Sequence, residues 1–360
     1  MTAGKRSPRS HYLQRVRPHP RSDKSLSSLR RVGFRLSCLP VLLALLTGLA
    51  GCARTALPLE SGRETPIAEL EPASLAAGEE LHVVVTTTVA ADLTRAVAGE
   101  SAQVTSLLPA GVDPHAYEPA PQDVRTVAEA DAVFINGLGL EEFLAELLAN
   151  AGGGAPVVSL SEGIQPRALE DLGLGEEHNV EEAHSVDPHV WLDPVLMITW
   201  ADNIGEALAA LDPSGSSGYR ERASALAQSL ESLDEWIRLQ VEALPPESRL
   251  LVTDHDELGY FADRYGFRVI GAVIPGYSSA AEPSAQELAD LETRIQSLGV
   301  RAVFVDRTVN SQLAERVAED TGVRLVPLNT HSIGVLGGGM PDYDSLMRYN
   351  VEAIVAALSP

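Results

Sequence analysis

Residues 193–244 read DPVLMITWADNIGEALAALDPSGSSGYRERASALAQSLESLDEWIRLQVEAL, and nothing in them is spaced like a β-strand. Asp193 caps and Pro194 opens one helix that stops near Asp212-Pro213, because proline is pre-set for the first helical turn and is not tolerated in a helix interior. A second helix follows Gly218. Its apolar positions Tyr219, Ala223, Leu226, Leu230, Leu233, Ile237 and Val241 step by three and four, so one face is buried along about 25 residues, or ~37 Å at 1.5 Å per residue. A helix that long reaches from one lobe of a protein to another.

On either side of this stretch, short β-branched runs alternate with helical patterns. Before it come 81–88 (LHVVVTTT), 103–108, 132–136 (AVFIN) and 156–160; after it come 249–253 (RLLVT), 268–273, 301–305 (RAVFV) and 324–328. Apolar strands separated by helices are parallel strands covered on both faces. In the second half, Ser284-Ala-Gln-Glu287 is a capping box ahead of an apolar run that ends at Gly299. The expected fold is α/β: two βα lobes with parallel four-stranded sheets, joined by a long rigid helix and separated by a cleft. The boundaries that follow are 81–212 for the N-terminal lobe, 213–244 for the linking helix and 245–360 for the C-terminal lobe.

Residues 1–51 carry ten Lys or Arg against the single acid Asp23. After this basic lead, the apolar stretch Leu39–Leu49 ends in Leu49-Ala50-Gly51-Cys52, the pattern of a signal peptide with a small-residue cleavage site. The apolar run is shorter than the ~20 residues a bilayer-spanning helix needs. Cysteine directly after Leu-Ala-Gly resembles a bacterial lipobox, which implies lipidation at Cys52 and membrane attachment through that lipid. Residues 52–80, poor in apolar side chains, read as a flexible tether with a root-mean-square reach of roughly 30 Å.

Removing the leader's +9 from the chain's −23 leaves −32 on the residues from Cys52 onward. So acidic a surface repels a phosphate backbone, so no nucleic-acid partner is expected. The segment contains no lysine, which excludes a P-loop lysine, a Schiff-base lysine and a lysine general base. With Cys38 in the leader and Cys52 lipidated, no thiol remains for a disulfide or a thiolate ligand. Any metal must be held by histidines and carboxylates.

Histidines are placed accordingly. His115 lies in Gly111-Val-Asp-Pro-His-Ala-Tyr-Glu-Pro119, and His189 in Asp187-Pro-His-Val-Trp-Leu-Asp-Pro194. An imidazole presented twice by the same Asp-Pro-His triplet suggests one shared ligand, and imidazole holds transition metals best. His255 follows the 249–253 run and His331 the 324–328 run, at the strand ends where open α/β sheets bind ligands. Each lobe thus contributes two candidates to a four-coordinate metal site in the interlobe cleft. Asp113, Asp187 and Asp193 are either acceptors for imidazole N–H groups or ordinary Asp-Pro turn residues. His82, inside the first run, reads as structural. His178 and His184, in the acidic stretch 168–187, form either an auxiliary low-affinity metal loop or a solvated surface.

Taken in order after the lipobox, GVDPHAYEP, DPHVWLDP, TDHDELGYFADRYG and EPSAQEL resemble the metal-binding solute-binding lipoproteins of zinc and manganese ABC importers, over about residues 81–360. The resemblance implies metal ligands at His115, His189 and His255. The third position is His in many zinc-type members and Glu in manganese-type ones, so His255 tilts the site to zinc. The fourth is usually Asp in a Thr-Asp-Ser-like segment, whereas this chain has Thr330-His331-Ser332; His331 is the fourth candidate. Neutral imidazoles suit Zn2+, while Mn2+ favours more oxygen ligands. The implied function is capture of Zn2+, with Mn2+ as the alternative cargo, by a monomeric lipid-anchored receptor. It acts at the outer face of the cytoplasmic membrane or in the periplasm and serves a separate permease and ATPase. Binding needs deprotonated imidazoles, so affinity is expected to fall as pH drops through ~6.5. A zinc-dependent hydrolase is the competing class, but the chain has neither H-E-x-x-H nor G-x-S-x-G.

Overall fold

The computed structural model describes residues 64–76, 78–167, 186–334 and 340–360. Two parallel four-stranded sheets carry the architecture. Leu81–Val85 (β1), Ala102–Ser106 (β2), Ala132–Ile135 (β3) and Val157–Ser159 (β4) pair in the order β2-β1-β3-β4. Leu250–His255 (β5), Arg268–Ile274 (β6), Ala302–Asp306 (β7) and Arg324–Leu328 (β8) pair in the order β6-β5-β7-β8. The central strands β3, β5 and β7 are buried along their whole length, as expected for sheets covered by helices on both faces. The helices are Thr88–Ala98 (α1), Pro121–Ala128 (α2), Leu144–Ala151 (α3), Pro194–Leu211 (α4), Ser216–Glu242 (α5), Gly259–Tyr265 (α6), Ala285–Leu298 (α7), Gln312–Thr321 (α8) and Tyr343–Leu358 (α9).

Local signals act where the sequence places them. The Asp193 carboxylate accepts from Val195 N–H with Pro194 in the first turn of α4, and Ser284 and Glu287 form the capping box of α7, which stops at Gly299 in the left-handed region. The first strand ends three residues earlier than its β-branched run suggests. Thr87 leaves the sheet because its hydroxyl accepts from Ala90 N–H and so caps α1.

The long helix α5 has 27 residues and buries Tyr219, Ala223, Leu230, Leu233, Ile237 and Val241. It packs on α1 and α4, which precede it in the chain, and on α9, which follows the second sheet. Its approach to α4 is close enough that a Cβ at Gly205 would lie 2.8 Å from the Ala223 methyl, so the pair leaves no room for a side chain there. One hydrophobic core runs through both lobes, from Val83 and Phe134 through Trp191, Met197 and Ile237 to Phe304, Tyr343 and Val351. Hydrogen bonds cross the same boundary: Trp191 Nε1–H donates to Thr330 O at 2.6 Å, Tyr343 O–H to Trp191 O at 2.6 Å, and Tyr260 O–H to Asp187 O at 2.8 Å.

The tether expected over 52–80 does not hold for residues 64–76. Ile67–Glu69 form a short 3-10 turn, Thr65 N–H donates to Val157 O at 2.6 Å and Ala73 N–H to Leu211 O at 2.9 Å. Ile67, Leu70, Ala73 and Leu75 lean on the core. The segment's average polarity conceals four apolar side chains that pack on the core, while the backbone of Thr65 bonds to β4, and an unpaired strand edge gains by being covered. The leader 1–51, Cys52, His178 and His184 lie outside the described residues. Among the described residues no helix is long and apolar enough to cross a membrane.

Candidate metal centre

Two strand ends, the turn beyond β2 and the segment that leads into α4 bring the imidazoles together. His115 sits in the 3-10 turn Pro114–Ala116 beyond β2, where Asp113 Oδ1 accepts its backbone N–H at 2.9 Å. Asp113 is held from the other lobe by the Ser279 hydroxyl at 2.5 Å. His189 precedes the turn Val190–Leu192; Asp187 Oδ1 accepts both its backbone N–H at 3.0 Å and its Nδ1–H at 2.8 Å. His255 ends β5, and Asp254 Oδ1 does the same for it at 2.7 and 2.9 Å. His331 follows β8, where Asp306 Oδ2 accepts the N–H groups of Thr330 and His331 and the Thr330 hydroxyl. One nitrogen from each of the four rings lies within 4.8 Å of the others. His189, His255 and His331 are buried and His115 is partly exposed.

Hydrogen bonds on the far side of the rings decide what faces the centre. With Nδ1–H of His189 and His255 committed to carboxylates, each Nε2 presents a lone pair. Yet His189 Nε2 is 3.2 Å from His255 Nε2 and 3.1 Å from His115 Nε2. Two lone pairs that close repel unless a proton or a cation sits between them. Two donors each ~2.1 Å from one Zn2+ stand about 3.4 Å apart at the tetrahedral angle and about 3.0 Å at a right angle, so the observed spacings are those of neighbouring corners of one coordination shell.

The surrounding charge is arranged asymmetrically. Burial, then the neighbouring imidazoles, drive His189 well below the usual histidine range, which keeps it neutral and able to ligate. Burial also opposes charge on His255, but Asp254 outweighs it and raises its pKa. At His331 burial is overcome by Asp306, 3.5 Å from Nδ1, and Glu257, 3.6 Å from Nε2, which together push it up to about 10. Asp187, deprived of water, is raised to about 8. The deprotonation expected near 6.5 therefore does not describe all four rings, because His331 holds its proton to higher pH than an ordinary imidazole.

All four histidines singled out by sequence converge here. Of the three aspartates considered as acceptors, Asp187 takes an imidazole N–H, Asp113 takes the backbone N–H of His115, and Asp193 caps α4 and pairs with Arg264 at 2.7 Å. His82 stays on β1, its Nε2 3.0 Å from the Thr105 hydroxyl. Sequence reasoning missed Asp254 as an imidazole acceptor, and it missed Asp306 and Glu257 altogether. The available signal was the run Asp254-His-Asp-Glu257 set between LLV and LGYF: consecutive ionisable residues inside an apolar segment have to be neutralised by one another or by a ligand.

Residues 83–357 match the family model described as zinc-uptake complex component A, periplasmic. The chain belongs to this family. Its similarity to curated relatives is in keeping: it is 34% identical over 283 residues to the manganese-binding lipoprotein MntA of Halalkalibacterium halodurans, covering 78% of this chain and 90% of that one. It is 31% identical to the manganese ABC transporter substrate-binding lipoprotein PsaA of Streptococcus mitis, over 79% of this chain and 91% of that one. Among solved structures, the periplasmic zinc binding protein TroA of Treponema pallidum superposes with a TM-score of 0.70 at 30% identity, covering 78% of this chain and all of that one. The zinc-uptake component family consists of extracytoplasmic metal-binding receptors of ABC importers, not enzymes, and this sets the hydrolase alternative aside.

Proposed function

We propose that His115, His189, His255 and His331 hold a single Zn2+, which the chain captures as a monomer anchored by a lipid on Cys52 and passes to an ABC permease and its ATPase. One observation carries the choice of site: the lone pairs of His189 and His255, each fixed by a buried carboxylate behind the ring, aim at the same point 3.2 Å apart. Nitrogen donors in that number favour zinc over manganese. Manganese is the second reading, because the relatives MntA and PsaA carry manganese in their names.

Elemental analysis of protein purified without added metal, followed by titration of Zn2+ and Mn2+ against a competing chelator, tests both. One zinc per chain is expected, lost when His115, His189 and His255 are replaced together by Ala. Undiminished zinc binding in that triple variant would refute the site, and preferential loading with manganese would favour the second reading. Cys52→Ser is expected to release the protein from the membrane; unchanged attachment would refute the anchor.

A further inference from the structure

The turn that carries His115 belongs to the first lobe but is held from the second. Gly111 N–H donates to Ser332 Oγ at 2.8 Å, and the Ser279 hydroxyl donates to Asp113 Oδ2 at 2.5 Å. The other oxygen of Asp113 accepts the backbone N–H of His115 at 2.9 Å. This buried carboxylate therefore passes the grip of Ser279 on to a ligand, and hydrogen bonds to a carboxylate are shorter and stronger than neutral ones.

Ser279 is anchored in turn. It lies in the loop between β6 and α7, where Gly276 exchanges two hydrogen bonds with Asp256: Asp256 N–H donates to Gly276 O at 2.9 Å, and Gly276 N–H donates to Asp256 Oδ2 at 2.8 Å. Tyr277, between the two anchor points, is buried. Asp256 directly follows His255. A continuous path thus runs from His255 in one lobe, through Asp256, Gly276, Ser279 and Asp113, to His115 in the other. Ser332 adjoins the ligand His331, whereas Ser279 stands outside the segments that carry the four imidazoles.

We propose that Ser279 is a positioning residue for metal capture: across the cleft it fixes Asp113, and through Asp113 the backbone of His115, where the imidazole reaches the ion. This rests on the four-histidine centre described under Proposed function and adds a residue that is not itself a ligand. Alanine at this position leaves Asp113 with one bond fewer and the His115 turn tied across the cleft only at Gly111. The effect falls on release, because an arriving ion still meets three imidazoles held in buried positions.

Zinc affinity of the full chain is measured against a competing chelator, and release by stopped flow into an excess of a chromophoric chelator. The wild type, Ser279→Ala, Ser279→Thr, His115→Ala and the double variant Ser279→Ala/His115→Ala are compared. Ser279→Ala is expected to weaken zinc by roughly five- to tenfold through faster release, at or below the low end of the 10–100-fold typical of a group bonded directly to a ligating ring. Ser279→Thr, which keeps the hydroxyl, is expected to release zinc more slowly than the alanine variant. In the His115→Ala background Ser279→Ala is expected to change nothing further, since the serine acts through that ligand alone. A loss of equal size in both backgrounds would overturn the proposal, because the serine would then merely stiffen the fold, and so would unchanged release from Ser279→Ala. Zinc affinity untouched by His115→Ala itself would overturn the histidine centre and the proposal with it.

Discussion

Asp187→Asn pits stability against metal affinity. Asp187 is fully buried, accepts two N–H groups from His189, and has its second oxygen 3.7 Å from the Arg167 guanidinium without a hydrogen bond. Its carboxyl titrates near 8 in the folded metal-free protein against an ordinary value of 3.8. A carboxyl raised by folding costs nothing while protonated in both states. The cost begins at about pH 4, grows as the unfolded chain ionises and the folded one does not, and levels off near pH 8. At pH 7 the three-unit gap corresponds to roughly 4 kcal/mol. Asparagine has the same shape and no charge, so it removes that cost, but its amide sets N–H donors where the acid has an oxygen facing the Arg167 guanidinium, and it accepts less well from the imidazole. We expect a net gain of about 1–2 kcal/mol, which at ~2–4 °C per kcal/mol raises the melting temperature of the metal-free protein by several degrees, with a flatter dependence on pH between 5 and 8. Metal binding is expected to move the other way. Loss of a charged acceptor behind a ligating imidazole typically costs 10–100-fold, or about 1.4–2.8 kcal/mol. Thermal melts in chelator across that pH range, with a zinc titration at pH 7.5, check both halves. A metal-free variant less stable than wild type at pH 7.5, together with unchanged zinc affinity, would show that Asp187 neither strains the fold nor tunes His189.

Zinc uptake at pH 7 is expected to release close to one proton from His331, whose pKa of about 10 leaves it charged before the metal arrives; affinity then keeps rising with pH toward 10 rather than levelling off above ~6.5. Calorimetry in buffers of different ionisation enthalpy measures the proton count, and a value near zero at pH 7 would contradict a ligating His331. Trp191→Phe removes the Nε1–H that donates to Thr330 O at 2.6 Å in a buried position, stranding a carbonyl next to the His331 loop. A loss of about 1–3 kcal/mol in urea unfolding is expected, and a loss below ~0.5 kcal/mol would mean that water replaces the bond.

What the sequence discloses and what it conceals divide along the range of the interactions involved. β-Branched runs mark the strands because burial between two helical layers leaves no polar alternation, and Asp193-Pro194 and Ser284–Glu287 mark helix starts because a cap bonds within its own turn. His255 and His331 are legible because they stand at strand ends, and His115 and His189 because the same Asp-Pro-His triplet presents each. Asp306 and Glu257 are not, since their importance comes from facing His331, 25 and 74 positions away in the chain respectively. The docking of residues 64–76 is hidden for the same reason: Thr65 bonds to Val157 and Ala73 to Leu211, and composition averaged over a segment cannot register a distant edge.

The core shared by the lobes limits how a bound ion can leave. Swinging the lobes apart as rigid bodies would expose Trp191, Tyr260 and Tyr343 to water, at roughly 2–3 kcal/mol for each large side chain, and would break the three hydrogen bonds they make across the boundary. The total approaches the ~5–15 kcal/mol that separates folded from unfolded proteins. Wide opening and unfolding thus become nearly the same event. Among the described residues His115 alone of the four imidazoles is partly exposed, so exchange through small motions is expected to run past that loop, where a partner acting from outside would meet a single donor.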